Sequence, residues 1–307
     1  MINVSIVIPI YNEEKNILLL VQNISTILNT TKYAYQLILV DDGSNDGTLT
    51  TLQNLAYQNN TIKYISFSRN FGHQIALKAG LDAATGDCVI SMDGDMQHPP
   101  ELLLPMLEKY EQGYDVVYTI RKQHEDIGYI KQKTSSMYYT LLNKLSEVQV
   151  ENGAADFRLL TQQVLHIIRN MPEQDLFFRG IIKWIGFKQI AIEYNPKLRA
   201  NGSTKYTYKK MFTLALNGIL SFSKKPLYLA AYLGIGFSAL SLLYIPYITI
   251  SLIYGVTISG WASVIATITF FGGLQLLLLG VIGLYIGRLF MQSKQRPLYI
   301  IKESNLA

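Results

Sequence analysis

Along the first 120 residues, short apolar runs alternate with longer stretches in which apolar positions recur every three or four residues. The runs Val4–Ile10, Gln36–Val40, Ile62–Phe67, Cys88–Met92 and Val116–Ile120 have the length and bulk of strands. Between them the periodicity predicts helices from Glu13 to about Leu28, near Gly47–Gln58, near His73–Ala84 and from Pro99 to Glu111. Such alternation is the mark of βαβ units, and the fold class it predicts is α/β, a mostly parallel sheet flanked by helices. Ligands of such sheets bind beyond the carboxyl ends of the strands. Met1–Ile10 is too short for a signal peptide, lacks a basic start, and reads as the first strand.

The pattern changes past residue 195. From Pro226 to Gly287 there is no Asp, Glu, Lys, Arg or His, and about 20 apolar residues suffice to cross the roughly 30 Å of a bilayer core. Two spans are predicted, at about 227–253 and 263–287, joined by an uncharged turn. Tyr228, Tyr254 and Trp261 lie near the predicted ends, where amphipathic rings favour the headgroup level. Lys224 and Lys225 precede the first span, and Arg288, Lys294 and Arg296 follow the second, so the positive-inside rule puts both flanks in the cytoplasm. The expected organisation is a cytoplasmic domain at 1–195, a basic juxtamembrane segment at 196–225, two transmembrane helices at 226–288 and a cytoplasmic tail at 289–307. The expected location is therefore the cell membrane, as a multi-pass protein.

Charge sharpens this division. Residues 1–195 hold 16 Lys and Arg against 21 Asp and Glu, whereas 196–225 hold seven cations and no acid. The net charge of +5 thus comes from the part beside the apolar stretch. A nucleic-acid binder would need its cations clustered on a folded face, and no nucleic-acid partner is expected. Within the 196–225 segment, Lys205 to Lys225 alternates cations with apolar residues, as in amphipathic helices lying on anionic headgroups or in a surface helix of the soluble domain. One cysteine, Cys88, excludes disulfides within the chain.

The unusual residues gather after the strands: Pro9-Ile10-Tyr11-Asn12-Glu13, Asp41-Asp42-Gly43-Ser44, Ser68-Arg69-Asn70-Phe71-Gly72 and Asp93-Gly94-Asp95-Met96-Gln97-His98. Two carboxylates flanking a glycine on an exposed turn suit a hard cation, Mg²⁺ or Mn²⁺, shared with substrate phosphates; a solvated turn would look the same. Asp41, at the strand end itself, is placed to accept from a base or ribose, and Asp46 reads as a helix N-cap. His98, before Pro99 and Pro100, is as consistent with packing the turn as with joining that cation, and it is left out of the ligand set. No Gly-x-Gly-x-x-Gly follows the first strand and no Gly-x-x-x-x-Gly-Lys-Ser/Thr occurs, so dinucleotide and P-loop modes are disfavoured. Arginine forks match phosphate oxygens, which makes Arg121, Arg199 and Lys205 candidates for a phosphate clamp. Trp184 reads as a core residue.

Together with Asp156-Phe157-Arg158-Leu159-Leu160 and Gly202-Ser203-Thr204-Lys205-Tyr206, those loop motifs form an ordered series that resembles the family 2 glycosyltransferases of the polyprenyl-phosphate hexosyltransferase group. The series is collinear over nearly the whole chain, including the apolar C-terminal part. Two departures are visible: Gly94 where many members have Ala, and Gly153-Ala154-Ala155 ahead of Asp156. The resemblance implies a GT-A, Rossmann-like domain that moves a hexose, with inversion, from a nucleotide diphospho-sugar, UDP-glucose first, to a polyprenyl phosphate such as undecaprenyl phosphate. N-acetylglucosamine, galactose or mannose as the sugar, or an inactive membrane scaffold, remain alternatives. Pro9, Tyr11, Glu13, Asp41, Asp42, Arg69 and Asp93 would bind the nucleotide sugar. Asp93, Asp95 and Gln97 would hold Mg²⁺ or Mn²⁺, and Arg121, Arg199 and Lys205 the lipid phosphate. Asp156, Asp95 and Arg158 would carry catalysis. Asp156, after the sheet, would face the acceptor as base or as orienting carboxylate, unless it merely pairs with Arg158. The resemblance also implies a homo-oligomer, a tetramer. No Gln-x-x-Arg-Trp element of a processive synthase is present.

Overall fold

The computed structural model describes residues 1–122, 151, 153–173, 176–195, 223–242, 246, 249–250, 253–254 and 260–306. Two compact units emerge, one formed by the N-terminal domain together with the last residues of the chain and the other by the apolar helices.

The first unit is an eight-stranded sheet with helices packed on it. In chain order it contains β1 (Asn3–Ile10), α1 (Glu14–Leu28), β2 (Ala34–Asp41), α2 (Thr48–Gln58), β3 (Ile62–Phe67), α3 (His73–Ala83), β4 (Cys88–Ser91), a 3-10 turn (Pro100–Leu102) running into α4 (Leu103–Glu111), and β5 (Val116–Arg121). Then follow β6 (Ala154–Thr161), α5 (Gln162–Arg169), α6 (Phe178–Ile185) and β7 (Gln189–Tyr194). The strand order is β7-β5-β6-β4-β1-β2-β3-β8, where β8 (Ile301–Ser304) comes from the C-terminal end. Neighbours β1–β2, β1–β4, β2–β3 and β5–β7 are parallel, while β6 is antiparallel to β4 and β5, and β8 to β3.

The local reasons are legible. Val4, Ile6, Val7 and Ile8 are fully buried, as expected of a central strand covered by helices on both faces. Helix α1 buries Ile17, Leu20, Val21, Ile24 and Leu28, a single stripe at helical spacing. Helix α3 lies close on the sheet because Gly80 has no side chain: a Cβ there would collide with Val7 and would stand 3.1 Å from Val40.

Three expectations are corrected. Asp156 does not follow the sheet but sits inside it on β6, between β4 and β5, because the chain returns antiparallel into the gap. Trp184 is 64% exposed on α6, whose buried face is built from Phe178, Gly180, Ile181 and Ile182. Helix α2 starts after Gly47, one residue past Asp46, whose carboxylate accepts from the Thr48 N–H at 3.1 Å.

In the second unit, α7 (Lys225–Leu242) and α8 (Trp261–Ser293) meet through Phe237, whose ring lies edge-on to Phe270 and Phe271 at 5.8 and 5.6 Å. Among the described residues one helix is long and apolar enough to cross a membrane, Phe270–Ser293, and none of its most apolar stretch is buried. Helix α8 runs past Arg288, where the sequence pattern puts the end of the span. The predicted turn at 255–259 and most of the basic segment, including Arg199 and Lys205, lie outside the described residues.

Candidate active site

The carboxyl ends of β1, β2 and β3 form one wall. Asp42, just past β2, is buried, and its Oδ1 accepts the Phe71 N–H at 2.7 Å while Oδ2 accepts that of Gly72 at 2.9 Å. Burial pushes its carboxyl above the ordinary value, with Asp41 adding to the rise, against the lowering by those two N–H bonds. Asp41 is turned inward: Oδ2 accepts from the Ser66 hydroxyl at 2.8 Å and Oδ1 from the Ser44 N–H at 3.0 Å. The two loops touch at Gly43, where φ is +67° and a Cβ would stand 2.7 Å from the Asn70 nitrogen. Only glycine meets both demands.

Asn12 ties the first loop to the second. In the left-handed region at φ 55°, it donates its N–H to the Ser44 hydroxyl and accepts the Asn45 N–H on its side chain, both at 2.9 Å. Pro9 is buried in β1 opposite Val40. Glu13 receives the Asn16 amide at 2.5 Å. Arg69 is exposed and lies over the Phe71 ring, 4.1 Å from its centroid. Between these loops opens a pocket of about 150 Å³ lined by Ile10, Tyr11, Asp42, Asn70, Gly72 and His73.

His73, the first residue of α3, joins this pocket to Asp93. Its Nε2 is 3.4 Å from Asp93 Oδ1, while Asp93 Oδ2 lies 3.5 Å from His98 Nε2 and 3.8 Å from Arg121. The loop turns sharply after Asp95: Met96 has φ 63°, and the Gln97 N–H donates to Asp95 Oδ1 at 3.2 Å. Gln97 Oε1 accepts from Arg121 at 3.3 Å, and Arg121 Nε donates to the Tyr194 hydroxyl at 2.9 Å. A Cβ on Gly94 would find its nearest neighbour, the Pro9 carbonyl oxygen, at 3.4 Å, so an alanine fits here.

His98, which the sequence leaves open between packing and cation binding, is fully buried and stacked on Phe157 at 5.1 Å. It does more than pack. Its Nδ1 accepts the Asp93 N–H at 3.0 Å, which leaves the ring proton on Nε2, 3.5 Å from Asp93 Oδ2. Burial lowers its pKa despite the nearby carboxylates, so the ring is a neutral prop for the Asp93 turn. The sequence signal was its place three residues beyond Asp95 in the loop after β4.

Asp156 forms the other part of the site. Its Oδ1 accepts from Arg158 at 3.2 Å, and Arg179 of α6 grips both oxygens, Nε to Oδ1 at 3.2 Å and Nη2 to Oδ2 at 3.1 Å. Burial alone would raise this carboxyl, but the two guanidiniums outweigh it and hold the group well below the usual carboxylate range. Arg158 is itself buried and spends further donors on the carbonyls of Ala155 and Phe178, at 3.0 and 3.1 Å. Sequence reasoning paired Asp156 with Arg158 alone. Arg179 stands in Phe177-Phe178-Arg179-Gly180, and a cation between large apolar residues was the available sign of a buried partner.

A divalent cation fits this donor set. Asp93 and Asp95 supply hard oxygens at an open turn, and among the described residues no group of three His, Cys, Asp or Glu gathers into a protein-only cage. Two carboxylates completed by substrate phosphates is the usual way such an ion is held.

Fold and site together define an α/β domain that presents a pocket, two loop carboxylates and a guanidinium-bound carboxylate at the ends of its central strands. Residues 5–168 match the family profile described as Glycosyl transferase family 2. The chain belongs to this family and is a glycosyltransferase. It is 42% identical over 304 residues to "Uncharacterized glycosyltransferase YkcC" of Bacillus subtilis (strain 168), covering 99% of this chain and 94% of the relative. It is 38% identical over 300 residues to "Bactoprenol glucosyl transferase" of Shigella phage SfV, covering 97% and 98%. Among solved structures, the mannosyltransferase PcManGT from Pyrobaculum calidifontis, in complex with GDP-Man and Mn²⁺, shares the fold with a TM-score of 0.50 at 15% identity, over 95% of this chain and 83% of that one.

Proposed function

We propose that the chain transfers a hexose, with glucose the first choice, from a nucleotide diphospho-sugar to a polyprenyl phosphate, with inversion, at the cytoplasmic face of a membrane. The observation that carries this reading is the continuity of the pocket with Asp93 through His73. A nucleotide seated against Asp42, Asn70 and Gly72 would point its diphosphate at the two loop carboxylates. Relatives named bactoprenol glucosyl transferase, similar over almost their whole length, support the acceptor.

The residues divide the work. Tyr11 and Asp42 line the pocket, and Asp42 offers an acceptor to base or ribose. Asp93, Asp95 and Gln97 would hold Mg²⁺ or Mn²⁺; such an ion, when bound, neutralises charge developing on the leaving diphosphate. The acceptor phosphate is already anionic at neutral pH, so one of its oxygens can form the new bond to the anomeric carbon as the bond to the diphosphate breaks, with little need of a base. Asp156 suits an orienting role, because a carboxylate bound by two guanidiniums is a weak proton acceptor. It presents Arg179 and is anchored by Arg158. Arg121, beside Asp93, and Arg199 and Lys205 are assigned to the acceptor's phosphate.

Helices α7 and α8 are read as a two-span anchor with both flanks in the cytoplasm. Cysteines placed at 259 and 293 in a Cys88→Ser background are expected to label from opposite faces, and labelling from one face would contradict this topology. The reaction is tested by offering the purified chain UDP-glucose, UDP-N-acetylglucosamine, UDP-galactose and GDP-mannose with undecaprenyl phosphate and Mn²⁺. Lipid-linked glucose is expected, and absence of lipid-linked product with all four donors would contradict the proposal.

A further inference from the structure

The wall of the pocket contributed by Asn70 and Gly72 hangs from the end of β3, and β3 is covered on its outer side by the last residues of the chain. Ile65, Ser66 and Phe67 pair with Ser304, Glu303 and Ile301, and the Ser68 N–H donates to the Ile300 carbonyl at 3.0 Å. The tail is pinned further by its side chains. Glu303 Oε1 accepts from Gln53 at 2.7 Å and from the Tyr64 hydroxyl at 2.5 Å, and Asn305 Oδ1 accepts the Tyr64 N–H at 2.7 Å.

Two chains of contact run from the tail into the loop. One passes along the backbone to Ser66, whose hydroxyl holds Asp41. The other passes through rings: Tyr299 stacks on Phe67 at 5.1 Å and 15°, and Phe67 meets Phe71 edge-on at 5.6 Å. The Phe71 N–H is the one that Asp42 accepts. Tyr299 also donates its hydroxyl to Asp82 of α3 at 3.4 Å, where Asp82 pairs with Lys78 at 2.5 Å. Residues 68–72 are thus gripped at the β3 end by the tail strand, and the helix that follows them is gripped by Tyr299. None of Tyr299–Asn305 lies within the residues that match the family profile.

We propose that this C-terminal segment is a positioning element of the donor site: docked on β3, it fixes loop 68–72 in the shape that binds the nucleotide sugar. The segment is the part of the chain that follows helix α8. The proposal rests on the reading of the pocket as the nucleotide site. An undocked tail leaves β3 an open edge and leaves the loop competent for only part of the time, and apparent affinity falls in proportion to that fraction.

The test uses the full chain in detergent, with the variants Tyr299→Ala and Tyr299→Phe and a chain ending at Leu298. Amide hydrogen exchange over residues 66–73 and calorimetric binding of UDP-glucose and GDP-mannose are read together. Tyr299→Ala is expected to accelerate exchange at Phe71 and Gly72 and to weaken binding of the preferred nucleotide sugar about 10-fold, the loss expected if the loop is competent roughly a tenth of the time. The KM for undecaprenyl phosphate should stay put, and Tyr299→Phe, which keeps the stack, should restore most of the affinity. The chain ending at Leu298 should show the same pattern more strongly. Unchanged exchange over 66–73 in the truncated chain would overturn the proposal, as would a loss shared equally by both substrates with faster exchange across the whole sheet. If the native chain binds neither nucleotide sugar, the reading of the pocket fails, and the exchange data still decide whether the tail fixes the loop.

Discussion

At the ends of β2 and β3 the site is held by backbone, whereas on β6 it is held by side-chain charge. Asp42 takes the N–H groups of Phe71 and Gly72, so its position follows from two loops packing against each other. Asp156 is held by Arg158 and Arg179, three ionised groups drawn from one strand and one helix in a buried place. The difference teaches where each part should fail. Changing the backbone-held carboxylate frees the Phe71 and Gly72 N–H groups and loosens the loop that lines the pocket. In a buried ion cluster, removal of one member strands the charge of the others.

The largest effect separates neither half but joins them. Asp93→Asn or Asp95→Asn is expected to lower kcat on the order of 10²-fold or more with the fold intact by circular dichroism, and EDTA should do the same to the native chain. Full activity in EDTA would break the account at the point where donor and acceptor meet.

Next in size is the charge cluster. Asp156→Asn leaves Arg158 buried without its partner and should cost about 3–5 kcal/mol of stability, read from chemical denaturation. The pH dependence has a definite sign. The carboxyl of Asp156 is held below its unfolded value of about 3.9, so its contribution is complete above that pH and is lost as pH falls through the lower folded value. The native chain should therefore lose stability in acid below about pH 4 more steeply than Asp156→Asn.

A smaller effect divides the two substrates. Asp42→Ala should raise the KM for the nucleotide sugar about 10-fold, the loss of roughly 1.4 kcal/mol, and leave that for the lipid unchanged. Arg199→Ala or Lys205→Ala should do the opposite. A rise in the nucleotide-sugar KM for those two would move them into the donor pocket. Smallest of all, Gly94→Ala should stay within about 0.5 kcal/mol of the native stability, since the Cβ meets only ordinary contacts.

How legible each half was follows from how it is built. Strands β1 to β5 and the helices between them show as alternating runs because each is local in sequence, and the loops after parallel strands carry the polar residues by geometry. Asp93, Asp95, Tyr11 and Asp42 could be picked out for that reason. What could not be read was long-range: β6 inserted antiparallel into the centre of the sheet, Arg179 meeting Asp156 from 23 residues away, and Ile301–Ser304 pairing with β3. His73 was hidden for a different reason. It opens α3 directly after the Ser68–Gly72 motif but nothing in the sequence connects it to Asp93, and the approach of β4 to β1 brings that carboxylate to its ring. Trp184 shows the converse error, since an apolar residue in an apolar run predicts burial, but α6 has only one covered face.

The most direct test of the central claim is the linkage formed when the purified chain is given UDP-glucose labelled at the anomeric carbon, undecaprenyl phosphate and Mn²⁺. The account predicts a single lipid-extractable product with glucose joined to the phosphate in the β configuration, opposite to the α linkage of the donor. Label that stays in water as free glucose, or a lipid product in the α configuration, would contradict it.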